Sequence, residues 1–178
     1  MYKNILIPLD GSKLAEAILP AALALAKPGC RLILMRVTPD LWIDDPLTPE
    51  QREDFLAKIA QDCQKYLDAL AQGLRKEGRC VEVWVTAGEP AEQIIEVATT
   101  AQCDLIAMAT HGHSGWQRLM LGSVADKVIQ HAAIPVLLVR PLETPDESHR
   151  LDIAVPLSIT PLQNLRVTSH LITSRHRE

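Results

Sequence analysis

Apolar residues along this chain fall into two alternating patterns. Short unbroken runs mark strands buried on both faces, and longer stretches with apolar residues every third or fourth position mark helices. Ile5-Leu6-Ile7-Pro8-Leu9 is the first run, and Asp10-Gly11-Ser12 breaks it. Ser12 is a good N-cap for a helix over residues 13 to about 26, with a kink expected at Pro20 and an end at Pro28-Gly29. Residues 31–37 read as a second strand and residues 38–49, with three prolines, as a loop. A long amphipathic helix follows over about 49–76, its stripe made by Phe55, Ile59, Cys63, Tyr66, Leu67, Leu70 and Leu74. Gly78 stops it, and residues 81–85 alternate as a third strand. Gly88-Glu89-Pro90 opens a helix through Ile94, Ile95 and Val97. Residues 104–108 form a fourth strand, residues 123–131 a helix, and residues 136–139 a fifth strand.

Five strands alternating with helices predict an α/β fold, a parallel sheet covered on both faces. In such sheets ligands bind beyond the strand C-terminal ends, where the connections diverge. Strand one ends in Asp10-Gly11-Ser12. Strand four ends in Met108-Ala109-Thr110-His111-Gly112-His113-Ser114-Gly115, followed by Gly122-Ser123-Val124 at a helix start. Small residues before a helix N-terminus let backbone N–H groups approach an anion, and the helix adds partial positive charge. The same loop also reads as a turn whose glycines only allow tight packing, and Asp10 as a helix cap. Its place after strand four, with Asp10 after strand one, favours binding.

Composition narrows the classes. At 178 residues and 47% hydrophobic, the chain can build one full core plus an appendage. A net charge of −4 argues against a nucleic-acid binder driven by a basic surface. Residues 15–26, the most apolar stretch, are too short to span a membrane, and no signal-peptide pattern precedes the first strand. Cys30, Cys63, Cys80 and Cys103 lack disulfide or zinc spacing and read as reduced thiols of a cytoplasmic protein. His111 and His113 have no evident third metal ligand. Gly112-His113-Ser114-Gly115-Trp116 lacks the last glycine of a nucleophile elbow, and no acid and base follow in the usual order.

Residues 142–150 read as a linker. Beyond it, Asp152-Ile153-Ala154-Val155-Pro156-Leu157-Ser158 echoes Asn4-Ile5-Leu6-Ile7-Pro8-Leu9-Asp10 in register. Either this is a chance echo of a common strand pattern, or residues 151–178 begin a second module cut short by a frame change. In both cases an orphan strand and an irregular tail are expected.

Residues 1–141 resemble the universal stress protein family. The resemblance rests on Lys3 through Ser12, Met35-Arg36-Val37, His111-Gly112 through Gly122-Ser123, and Ile134 through Arg140. It implies a Rossmann-like, adenine nucleotide alpha hydrolase-like fold and an ATP-binding regulatory, stress-response role. It further implies Mg2+ accompanying the phosphates and a homodimer joined through strand 135–140. The family's ATP-binding branch carries Gly, two residues, Gly, nine residues, then Gly with Ser or Thr. Gly112, Gly122 and Ser123 match, and Ala109 stands where the first glycine belongs. Position 113, often basic in the family, is His113. Carried over, the resemblance places adenine and ribose near Pro8, Leu9, Asp10 and Val37. The phosphates fall against Met108, Ala109, Gly112, His113, Gly122, Ser123 and Val124, with ADP or AMP as possible occupants. No catalytic or metal-ligating residue is implied. Slow ATP hydrolysis or adenylyl transfer at the same site, and a nucleotide-free dimerisation module, stand as alternatives.

Overall fold

The computed structural model describes residues 1–38, 48–110 and 122–140. The proposed linker, the repeat of strand one, Gly112 and His113 all lie outside the described residues.

Five parallel strands are β1 (Tyr2–Pro8), β2 (Ala26–Thr38), β3 (Cys80–Ala87), β4 (Leu105–Ala109) and β5 (Val136–Val139). Their order across the sheet is β3-β2-β1-β4-β5. Helices α1 (Lys13–Glu16), α2 (Leu19–Leu25) and α3 (Pro49–Lys76) cover one face, and α4 (Pro90–Thr100) and α5 (Ser123–His131) the other. The two-residue period of the strands divides the core accordingly. Ile5, Ile7, Leu32 and Leu34 pack with Leu67 and Ala71 of α3, while Leu6, Ile33 and Met35 pack with Ile94 of α4 and Val128 of α5. Each fully buried Leu or Ile contributes about 1.5–3 kcal/mol of burial free energy, so both faces are needed to hold the sheet.

The third and last helices and the fifth strand occupy the expected residues. Thr48 caps α3 through a reciprocal capping box with Gln51. Gly78, at φ +78°, takes the left-handed turn after it.

The expected helix over residues 13–26 differs. It is two helices, because Pro20 sits in the first turn of α2, where a missing amide hydrogen costs nothing. Pro28-Gly29 does not end a helix but lies inside β2, which starts at Ala26. Tyr2 pairs with Ala26 and Asn4 with Arg31, so extra residues of β2 bulge out between these pairs. A bulge tolerates proline, and Gly29 supplies a φ of +74° there.

Because β1 neighbours β2 on one side and β4 on the other, the connections leaving β1 and β4 diverge. The switch point expected between strands one and four is therefore where it was placed.

Candidate functional site

A cavity of about 330 Å3 opens at this switch point. Pro8, Leu9 and Asp10 line it from the end of β1, Met35 and Val37 from β2, and Met108, Ala109 and Thr110 from the end of β4. Gly122, Ser123, Val124 and Ala125 come from the start of α5, Leu14 and Ala15 from α1, and Pro90 and Ile94 from α4. Nine of the residues picked out in the sequence thus meet at one cavity. Its size falls in the range of roughly 300–1,000 Å3 usual for small-molecule sites.

Each wall has a local cause. The Asp10 carboxylate accepts the Ser12 N–H at 2.8 Å, and the Ser12 hydroxyl accepts the Ala15 N–H at 3.0 Å. These two bonds turn the chain out of β1 and start α1. Gly11 adopts φ +90°, and a Cβ there would meet the Arg36 guanidinium at 2.6 Å. That guanidinium stacks over the Tyr66 ring, 5.4 Å from its centroid, and the Tyr66 hydroxyl donates to Glu16 at 3.3 Å. Burial pushes the Tyr66 phenol far above its ordinary value, and the neighbouring Glu16 carboxylate adds to the rise. Tyr66 therefore stays protonated and keeps donating, buttressing the Asp10 turn from behind.

Across the cavity, α5 begins at Gly122 with no side-chain cap. The first intrahelical bond is Asp126 N–H to the Gly122 carbonyl at 2.9 Å, so the N–H groups of Ser123, Val124 and Ala125 precede the hydrogen-bonded ladder. Gly122 has φ −57°, which any residue adopts, and a Cβ there meets nothing within 4 Å among the described residues. Neither backbone strain nor a described neighbour calls for glycine at this position, beyond the ordinary preference of a helix N-cap. The empty space on its Cα borders the cavity.

Ala109, which departs from the glycine pattern, is the last residue of β4 and pairs with Val139. Among the described non-glycine residues only Gln102 has positive φ, so alanine fits at 109 without strain. Asp10 is the sole ionisable side chain among the described lining residues.

Just outside, α4 and α5 are tied together. Glu89 caps α4 by accepting the Glu92 N–H at 2.9 Å and pairs with Lys127 of α5 at 2.9 Å. The hydrogen bond from Lys127 holds the Glu89 carboxyl below its ordinary value, and the same bond raises Lys127.

Leu14, Ala15, Met35, Pro90, Ile94, Thr110 and Ala125 also face the cavity, though none of them is among the site residues expected from the sequence. Pro90 and Ile94 come from an element whose place beside the site depends on the β3-to-β4 crossover. Thr110 stands inside the strand-four loop put forward from the sequence, and the alternation of Ile106 and Met108 is the signal that places it on the cavity side.

Comparisons with known proteins agree with this architecture. Residues 1–140 match the model of the universal stress protein family. The chain is 31% identical over 144 residues to universal stress protein MJ0531 of Methanocaldococcus jannaschii, covering 79% of this chain and 83% of the relative. It is also 31% identical over 148 residues to universal stress protein YxiE of Bacillus subtilis, covering 79% and 100%. Among solved structures, that of hypothetical protein MJ0577 superposes with a TM-score of 0.67 at 28% identity, covering 81% of this chain and 99% of that one. With its sheet order, its switch-point cavity and these matches agreeing, the chain belongs to the universal stress protein family.

Proposed function

We propose that this chain binds an adenine nucleotide, ATP foremost, in the switch-point cavity and acts as a nucleotide-dependent regulatory module of the stress response. The observation that carries the reading is the uncapped start of α5 facing Asp10 across one cavity, with room at Gly122 that no described protein atom uses. The helix start suits phosphate, Asp10 suits the hydroxyls and amine of a nucleoside, and Val37, Met35, Ile94 and Met108 offer apolar surface to a base. Solved proteins of the same fold hold such ligands. One is a family member from Arabidopsis thaliana with AMP bound (14% identity, TM-score 0.55), and another is a universal stress protein in complex with cAMP (20%, 0.50). At those identities they show what the fold accommodates, and the residues above carry the rest.

Gly112 and His113 belong to the same reading as phosphate contacts. Mg2+ enters with the phosphates: among the described residues no cluster of three or more His, Cys, Asp or Glu could hold a metal on its own. The working form is a cytoplasmic homodimer, in which β5, the strand at the sheet edge, pairs with a second copy. No described helix is long and apolar enough to cross a membrane.

The decisive experiment is the nucleotide content of protein purified without added ligand, with calorimetric titration of ATP, ADP and AMP. Bound nucleotide, or saturable binding below millimolar concentration, supports the reading. Absence of both overturns it in favour of a nucleotide-free dimerisation module. A single-turnover assay with labelled ATP separates binding from slow hydrolysis or adenylyl transfer.

A further inference from the structure

Two polar residues are buried among the described residues, Thr38 and Thr110, each 5% exposed. They are satisfied differently. The Thr38 hydroxyl donates to the Thr86 carbonyl at 3.2 Å. Thr110 spends its backbone N–H on the Val139 carbonyl at 2.9 Å, locking the end of β4 to β5. Its hydroxyl has no hydrogen-bond partner among the described residues, and it is not sealed from solvent as the Thr86 hydroxyl is. Thr110 lines the switch-point cavity. Ile106 and Met108 face α4 and α5, and the two-residue period puts Thr110 on that same face, toward the uncapped start of α5. A buried hydroxyl without a partner is costly, and native proteins keep one where something else completes it.

Resting on the nucleotide reading above, we propose that Thr110 is a ligand-contacting residue whose hydroxyl donates to a phosphate oxygen seated at the start of α5. The described part of the seat is then made of neutral donors, the Thr110 hydroxyl and the backbone N–H groups of Ser123 and Val124. Charge-assisted bonds from neutral donors to an anion orient it without a cationic side chain. Water alone in that place makes no distinction between ligands with and without a phosphate, whereas a phosphate contact does.

The test is Thr110→Val, which keeps the shape and removes the hydroxyl, titrated calorimetrically with AMP and with adenosine. The expected result is a rise of about tenfold in the Kd for AMP, with the Kd for adenosine unchanged within about twofold. Thr110→Ser should restore AMP binding. The thermal midpoint of Thr110→Val should equal or exceed that of the wild type, since an unpartnered hydroxyl leaves the interior. Unchanged AMP binding in a folded Thr110→Val, or equal loss of AMP and adenosine, overturns the assignment and leaves the nucleotide reading standing. Failure of the wild type to bind either ligand overturns both. Should Thr110→Val not fold, Thr110→Ala compared with Thr110→Ser makes the same distinction.

Discussion

The two rims of one sheet are finished in opposite ways. At the N-terminal rim, Asp104 accepts the N–H groups of Lys3 and Asn4 at 2.8 and 2.9 Å and donates its own N–H to the Asn4 carbonyl. The Asn4 side chain donates to the Gln102 carbonyl at 2.9 Å, and Arg31 reaches the Ala101 carbonyl and pairs with Glu82. Backbone groups there are spent on holding β1 to β4. At the C-terminal rim the helix start at Gly122 lacks a side-chain cap, and the Thr110 hydroxyl has no partner among the described residues. The lesson, among the described residues, is a division of labour between β1 and β4: side chains tie the two strands together at one end, and donors remain open beside the cavity at the other.

That contrast can be broken most severely at Asp104. Asp104→Ala removes two bonds to a carboxylate and should cost about 2–3 kcal/mol in denaturant unfolding, while AMP affinity stays at the wild-type value. An equal loss of affinity would show that the rims are coupled. Gly122→Val probes the other rim: calorimetry should give at least about a tenfold loss of nucleotide affinity, roughly 1.4 kcal/mol, because the side chain occupies ligand space. Its unfolding midpoint should fall only modestly, by the loss of glycine at a helix N-cap, since no described neighbour opposes a Cβ.

A smaller effect comes from Cys103, which lies near the N-terminal rim. Burial raises its thiol from 9.0 to about 11. A group whose folded value is raised contributes stability that is fully present below the unfolded value and lost as pH climbs through the folded one. The wild type should therefore lose stability between about pH 9 and pH 11 more steeply than Cys103→Ala, read from melts across that window. Exposed Cys80 should alkylate before buried Cys30 and Cys103.

The smallest effect belongs to the exposed Glu89–Lys127 pair. The Glu89 value is lowered in the fold, so its contribution holds above the unfolded value and fades as pH falls through the folded one. Lys127 is raised, so its contribution fades as pH rises through its folded value. Glu89→Gln keeps a cap oxygen but loses the ion pair. Its slight lowering of the thermal midpoint at neutral pH should vanish in high salt or at strongly acidic pH.

Much of the fold was legible because its signals are local. The stripe of α3, the start of α5 at Ser123 and the run of β5 are written in spacing and punctuation a few residues wide. The break at Pro20 and the early start of β2 were not, because they depend on how β2 registers against β1 across a bulge. The candidate site divides in the same way. Pro8, Asp10, Ala109 and Gly122 could be named from motifs at strand ends. Pro90 and Ile94 could not, because their presence at the cavity is a property of the assembled layers.

By itself, then, the sequence determined the alternation of strands and helices, the family, and the two strand ends that meet at the switch point. Those properties follow from hydrophobic period and turn chemistry, which act over short distances along the chain. Only the tertiary structure decided that Gly122 takes an ordinary backbone conformation and that Thr110 lines the cavity with a hydroxyl unpartnered among the described residues. Both depend on which atoms the packed layers bring together, and no spacing along a single chain encodes that distance.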